Sequence, residues 1–288
     1  MLDGAARHNV GRRRFRWRGW GGPIGYAFLI LLALFCLVPF TWIITASVDP
    51  HAGLFISLPS SISLANFARF VSDPVFARYV LNSLIMAGGA TALTIGTCTL
   101  GGYALSRFAF RGRRVLMFGV LLSRTIPVTA TITPLYQIVL ALGLTDSYVG
   151  MILVLAAQQI PLALWMMKGF FDTVPGELEE AAWIDGATRL HGVLRIVLPL
   201  AAAGAGAAAL FAFIGAWSDF LTPLVLIQSP DLYPISVGLF QAYIGRNLMD
   251  WGLLTAISVV YMVPTIIFYL IVRRYLLRAT VVGALQGT

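Results

Sequence analysis

The sequence predicts an all-α polytopic membrane protein with six transmembrane helices, both termini in the cytoplasm, and a polar cytoplasmic segment between the fourth and fifth helices. Of its 288 residues, 59% are hydrophobic and only 11% are charged, whereas a soluble domain carries about 25% charged residues. Six apolar segments provide the roughly 20 residues that a helix needs to cross the hydrocarbon core. Basic residues beside these segments set the predicted orientation.

The predicted spans contain almost no charge. The first follows a basic tail, residues 1–20, and is too long for a signal-peptide core, so we expect it to remain as a helix. Residues 21–288 then form one membrane domain. Its spans are 24–46, 79–105, 115–142, 147–167, 196–217 and 251–272. Only the third span contains a charged residue, Arg124.

The orientation follows from the basic residues. The N-terminal tail, the 106–114 loop, the 168–195 loop and the C-terminal tail together hold sixteen of the twenty Lys and Arg residues. The loops on the other side hold three. Because basic residues concentrate in short cytoplasmic loops, both termini and the 172–195 segment are predicted to lie in the cytoplasm.

Composition also argues against several classes of protein. Cys36 and Cys98 both lie in apolar runs, so no disulfide framework is indicated. The net charge of +8 could suggest nucleic acid, but the basic residues are dispersed beside spans, where they orient the protein. We therefore expect membrane lipid as a partner and no nucleic acid.

A polar island between the fourth and fifth spans is the most informative segment, reading PGELEEAAWIDGATRLHGVLRIVLP over residues 175–199. Pro175 suits the first turn of a helix, and the acidic residues after it favour a helix N-terminus. Asp185-Gly186 predicts a turn, and Thr188 or Asp185 could cap a second helix. The pattern predicts a helix–turn–helix elbow. A solvated loop is the simpler alternative, but small residues and Trp183 favour docking to another surface.

The spacing within this island resembles the EAA–G–I-LP signature of binding-protein-dependent ABC importer permeases. In that family the elbow is a coupling helix that seats on an ATPase subunit and transmits its movements to the spans. The residues that match the signature or flank its glycine, and that the resemblance assigns to ATPase coupling, are Glu180, Ala181, Ala182, Asp185, Gly186, Ile196, Leu198 and Pro199.

Further segments are similar to the maltose-type carbohydrate branch of the family. They include Asn82-Ser83-Leu84, the run 103–108, and Gly215-Ala216-Trp217, although Asp219 stands where Glu is usual. The resemblance implies a heterodimer with a second homologous permease in the bacterial cytoplasmic membrane. It also implies two ATPase subunits that use ATP and Mg, and an extracytoplasmic substrate-binding protein. The implied solute is a disaccharide or oligosaccharide, with glycerol-3-phosphate or another small polar solute as the alternative.

Four polar or aromatic residues are candidates for a substrate pathway: Arg124, Asn82, Gln158 and Trp217. A charge within a span is a functional hypothesis by default, but Arg124 could equally pair with a carbonyl or an outer-loop Asp. The amides could contact sugar hydroxyls, although bonds between helices are their commoner use. Trp217 could stack on a sugar ring or pack within the bundle.

Other functional classes fit less well. An intramembrane enzyme would need a catalytic constellation at membrane depth, but His8, His51 and His191 all lie outside the spans, and neither HExxH nor GxSxG occurs. A stand-alone secondary transporter would need its own coupling residues in the membrane. No Walker-A loop is present, so ATP hydrolysis would have to come from a partner. No cofactor is expected in this chain.

Overall fold

The computed structural model describes residues 23–53, 55, 59–244 and 250–286, without the side chains of residue 24 and residues 274–286. All regular structure in these ranges is helical, which confirms the all-α fold. The predicted basic tail, residues 1–20, lies outside the described residues.

The helices follow the chain in the order α1 to α13. Four are long and apolar enough to cross a membrane: α1 (Pro23–Ser47), α3 (Pro74–Arg107), α6 (Tyr148–Asp172) and the first part of α13 (Trp251–Gln286). The others are α2 (Ala65–Ser72), α4 (Arg113–Ser123), α5 (Val128–Ala141), α7 (Glu177–Ile184), α8 (Arg189–Gly192), α9 (Leu198–Leu200), α10 (Ala202–Ser218), α11 (Leu221–Leu226) and α12 (Ile235–Ile244).

The predicted third span is not one continuous helix. Residues 115–142 form α4 and α5, which are bent by 101° relative to each other. The break lies before Pro127, which has an extended backbone with φ −60° and ψ 136°. Proline has no N–H to give to the preceding turn and disfavours helix in the residue before it. Pro134, by contrast, is accommodated inside α5.

The predicted fifth span, 196–217, begins later than expected. Its first residues belong to an arm that runs through α8, a π-helical turn at Val193–Val197 and α9. This arm then bends by 83° into α10 at Ala201, where ψ is 13°. Ile196, Leu198 and Pro199 therefore lie before the bend, and the straight part of the span starts at Ala202.

Close packing between helices depends on glycine at several positions. A Cβ on Gly102 of α3 would lie 3.0 Å from the Met167 side chain of α6, and one on Gly204 of α10 would lie 2.1 Å from Phe170. One core cluster, around Met167 and Phe171, lies beside α7–α9. The other, around Met86 and Trp217, lies away from them. We call the two ends of the bundle the elbow end and the distal end.

Candidate functional site: the elbow and the polar groups of the bundle

The elbow consists of α7, a glycine turn, and the arm α8–α9. Gly186 ends α7 with φ +87°, in the left-handed region that glycine adopts without a steric penalty. Gly186 N donates to Trp183 O at 3.0 Å, and Ala187 N donates to Ala182 O at 2.9 Å. These two bonds form a Schellman motif, which satisfies the last carbonyls of the helix. The predicted turn at Asp185-Gly186 is confirmed.

The two arms have different starts. Thr188 caps α8 by accepting a hydrogen bond from His191 N at 3.3 Å, as one of the two predicted caps. Pro175, however, lies just outside α7, which begins at Glu177 after Gly176. The acidic residues of the first turn are still Glu177, Glu179 and Glu180, so they face the positive end of the helix dipole.

A buried ion pair fastens α7 to the end of α3. Glu179 is 1% exposed. It accepts hydrogen bonds from Tyr103 Oη at 2.7 Å and from Arg107 Nε at 2.6 Å. Arg107 Nη2 also donates to Val174 O at 2.8 Å. A carboxylate buried without such partners would cost several kcal/mol, so this cluster sets where the elbow sits on the bundle.

Arg189 joins the two arms of the elbow to the 106–114 loop. Its guanidinium carbon lies 5.6 Å from the Phe108 ring centroid and 5.5 Å from that of Trp183. Both distances are within the range of a cation–π interaction. A Cβ on Gly192 would also lie 3.5 Å from Trp183 Nε1. The elbow is therefore held at both α7 and α8.

The outward surface of the elbow is polar at its edges and apolar in part. Glu180, Ala181 and Asp185 are exposed, and Ile184 is 87% exposed. A shallow hollow of about 500 Å³ lies between the arms. It is lined by Ala182, Asp185, Gly186, Ala187, Thr188, His191 and Ile196. Such a surface, with an exposed isoleucine among acids, fits contact with another protein.

The matched residues after the turn are divided between surface and interior. Val193 and Val197 are buried against the elbow-end core. Ile196 and Leu198 are half-buried, and Pro199 is exposed. The arm therefore directs Val193 and Val197 toward the core, while Ile196 lines the hollow between the two arms.

Asn82 is placed in a structural role. Its side chain is buried and donates to Asp231 O at 2.8 Å and Tyr233 O at 2.9 Å. It also accepts from Tyr148 Oη at 2.6 Å. Both amide hydrogens and the carbonyl oxygen are thus used within the protein. The interhelical alternative therefore describes its environment, and a solute would have to displace these bonds to contact it; its place in a substrate pathway stays a prediction.

Trp217 is also used internally. It is 3% exposed, and its Nε1 donates to Tyr261 O at 3.1 Å while Tyr261 Oη donates to Trp217 O at 3.1 Å. Its ring is stacked with Tyr261 and Phe213 at centroid distances of 5.7 Å. Trp217 is therefore packed within the bundle, and neither face of its indole ring is accessible to a sugar ring in this chain.

The other two pathway candidates keep access to the surface. Arg124 is exposed and lies at the break between α4 and α5. The prediction placed it inside one continuous helix, and the structure differs on this point. Gln158 is half-buried and donates from Nε2 to Thr222 Oγ1 at 3.0 Å. Thr222 in turn donates to Asp219 Oδ2 at 2.6 Å. The sequence interpretation had not connected Gln158 to Asp219.

Comparison with known proteins identifies the family. Residues 97–281, nearly two thirds of the chain, match the family model described as binding-protein-dependent transport system inner membrane component. The chain belongs to this family. The predicted resemblance is confirmed, and the chain is a multi-pass permease component of the bacterial inner membrane, served by a binding protein, and not itself an enzyme.

Relatives in this family share most of the chain. The trehalose/maltose transport system permease protein of Thermococcus litoralis is 33% identical over 90% of this chain and 94% of its own. The sulfoquinovosyl glycerol transport system permease protein of Agrobacterium fabrum is 32% identical over 93% of this chain and 95% of its own. A crystal structure of a bacterial ABC transporter that imports the acidic polysaccharide alginate matches with a TM-score of 0.76 and 25% identity, covering 88% of this chain and 96% of that one.

The buried cluster is the main feature of this family member that sequence reasoning missed. Glu179 precedes the signature and was grouped with the other acidic residues of α7. A signal was present in the 103–108 run, because Tyr103 and Arg107 are four residues apart and share one face of a helix. The pairing with a carboxylate 72 residues further along could only be seen in three dimensions.

Proposed function

We propose that this chain is a membrane-spanning subunit of an ATP-driven importer for a carbohydrate, coupled to a separate ATPase through the elbow. A disaccharide or oligosaccharide is favoured by the solutes named for one relative, trehalose and maltose. Glycerol-3-phosphate or another small polar solute is the alternative. The assembly would contain a second homologous permease, two ATPase subunits that use ATP and Mg, and an extracytoplasmic binding protein.

The observation that carries the coupling proposal is the elbow itself. It exposes acids and Ile184 on one side while Glu179 fastens the other side to α3. Movement of a bound ATPase would therefore be transmitted to a long helix that spans the bundle. In this proposal the elbow end faces the cytoplasm, as do both termini, in agreement with the distribution of basic residues.

Gly186→Leu tests the coupling role. A side chain at φ +87° costs about 1–2 kcal/mol in the left-handed region, although a Cβ at this position would meet no atom within 4 Å. The expected result in proteoliposomes is a loss of uptake of at least about tenfold per assembled transporter, because the exposed turn no longer fits the ATPase. Insertion of the subunit should be unchanged.

Gly176→Leu is the matched control. Gly176 lies in the same segment, also has open space around a Cβ, and has an ordinary φ of −67°. We expect near-normal uptake from it. Glu180→Lys, which reverses an exposed charge of the signature, should weaken co-purification of the ATPase, while Glu180→Gln should weaken it less. Normal uptake in both Gly186→Leu and Glu180→Lys would refute the coupling role.

A further inference from the structure

The polar chain Asp219–Thr222–Gln158 lies near the middle of the bundle. Helix α6 has 25 residues, so its midpoint is residue 160, and Gln158 lies about 3 Å from it along the axis. The apolar stretch of α13, Trp251–Arg273, has its midpoint at residue 262, and Tyr261 there binds Trp217. Asp219 follows Trp217 by two residues, so two independent helices place its carboxyl group at mid-membrane depth. The predicted fifth span, 196–217, therefore ends near the middle of the membrane and not at its outer surface, because Gly215 lies against Gln159 near the middle of α6.

The backbone leaves the helix at this depth. Helix α10 ends at Ser218, Asp219 is extended with φ −67° and ψ 125°, and α11 begins at Leu221. Ser236 Oγ donates to the carbonyl of Asp219 at 2.9 Å. Irregular backbone at membrane depth is tolerated where it is buried in protein or lines a water-filled cavity. A broken helix near the midplane is where many transporters bind their solutes.

Asp219 is anchored on one side and accessible on the other. Thr222 donates to both carboxylate oxygens, from N at 3.1 Å and from Oγ1 at 2.6 Å, and Thr222 itself is fully buried. Asp219 and Phe220 remain half-buried, and Ser218 is exposed. An Asp side chain accessible at the bilayer centre is too costly to face lipid. Its accessible side therefore faces either a polar surface of the second permease or an aqueous space between the two subunits.

We infer that Asp219 lines an aqueous solute pathway at mid-membrane and accepts hydrogen bonds there from the hydroxyl groups of a polyhydroxylated solute. The carboxylate has lone pairs beyond those that Thr222 uses, and Phe220 offers part of an apolar ring beside it. Its negative charge favours a neutral sugar over the glycerol-3-phosphate alternative. This inference rests on the proposed importer function and specifies the solute that the chain accommodates.

The test measures water access and local charge next to Asp219. In a background with Cys36→Ser and Cys98→Ser, Ser218→Cys is exposed to a cationic and an anionic methanethiosulfonate reagent in the assembled transporter. Both should react, the cationic one faster by up to about tenfold beyond the ratio for a free thiol, because a nearby carboxylate attracts it. Adding Asp219→Asn should abolish the excess, while Asp219→Glu should retain it. Leu153→Cys, exposed and flanked by apolar residues on α6, should react with neither reagent.

Two results would overturn the inference. One is a Ser218→Cys thiol that neither reagent reaches in resting or ATP-driven transporter, although it reacts after denaturation; the position would then be sealed against lipid or another subunit. The other is an unchanged reagent preference in Asp219→Asn. Retained ATP hydrolysis shows that each variant is assembled. Labelling in the resting transporter does not require that movement of the ATPase be transmitted through the elbow. A failure of the coupling role would therefore leave this labelling unchanged, and the two proposals can fail separately.

Discussion

The elbow end and the distal end of the bundle use polar residues in opposite ways. At the elbow end, Glu179 is buried with two donors while Glu180 and Asp185, on the same short segment, are exposed. At the distal end, Asn82 and Asp146 form their hydrogen bonds with the protein's own backbone and side chains. In this protein, a polar residue is therefore a candidate for contact with a partner or solute only where its side chain has hydrogen-bonding groups that the protein itself does not use.

The distal end has two partly exposed ion pairs, Arg69 with Asp250 and Arg78 with Asp231, and its buried polar side chains bond mostly to carbonyl and amide groups. Asn82 joins α3 and α6 to the 231–233 segment. Asp146 accepts from Gln228 N at 3.0 Å and from Ser229 N at 2.9 Å, and Ser229 Oγ donates to it as well. Loops that would otherwise leave backbone groups unsatisfied are thus closed by side chains. The elbow end has, in addition to the Arg189 contacts, a buried charge pair between Arg107 and Glu179.

The largest expected effect comes from breaking that pair. Arg107→Met leaves the Glu179 carboxylate buried with only Tyr103 as a side-chain partner. Removal of one member of a buried ion pair costs about 3–5 kcal/mol, so the thermal unfolding midpoint of the purified subunit should fall substantially. Uptake per assembled transporter should fall too, because the elbow loses its position on α3.

The control for this prediction is the double variant Arg107→Met with Glu179→Gln. Without the charge, the buried amide should recover part of the stability lost in the single variant. A single variant as stable as the parent would contradict the anchoring role of the pair. Recovery of stability without recovery of uptake would show that the charge pair also matters for coupling.

A smaller effect is expected from Asn82→Leu at the distal end. It leaves Asp231 O, Tyr233 O and Tyr148 Oη without their amide partner, at a cost of about 2–3 kcal/mol. Tyr148→Phe, which removes one of the three bonds, should cost about 1 kcal/mol. Both should lower the unfolding midpoint while uptake per folded transporter stays normal. A changed solute preference in Asn82→Leu would support the predicted place of this residue in the pathway.

The smallest effect concerns Asp146 and pH. Hydrogen bonds from the Ser229 side chain and backbone, and from the Gln228 backbone, lower the pKa of its carboxyl group below the ordinary value. Because the pKa is lowered in the folded state, this stabilisation is present above the ordinary Asp pKa and is lost as pH falls through the folded-state pKa. The unfolding midpoint should therefore decrease at acid pH partly through Asp146.

Asp146→Asn isolates this contribution. Asp146 has φ 54°, and Asn tolerates this left-handed conformation well. The variant should thus keep the turn while losing the bonds to a charged carboxylate. Its unfolding midpoint should be slightly lower at neutral pH and should depend less on pH in the acid range. An identical pH dependence in the two proteins would exclude Asp146 as a contributor.

Much of the elbow was predictable because its determinants are local. The acidic first turn of α7, the glycine turn and the Thr188 cap depend on residues within a few positions of one another. The approximate positions of the apolar segments were predictable because hydrophobic length is a local property. Their number was not, since four helices of the described residues are long enough to cross a membrane and six spans result only if each bent pair counts as one. The positions of the bends were harder to predict, because the helix is interrupted before Pro127 but continues through Pro134.

The sequence by itself determined the helical membrane class, the position of the apolar segments and the turn at Gly186, because each depends on composition or on neighbouring residues. The tertiary structure decided which polar side chains form all their hydrogen bonds within the protein and which remain accessible at its surface. Glu179 and Asn82 find partners 66 to 151 residues away. Such pairings depend on how helices cross, and this is why the sequence could not show that Asn82 and Trp217 are hydrogen-bonded within the protein while Asp219 remains accessible.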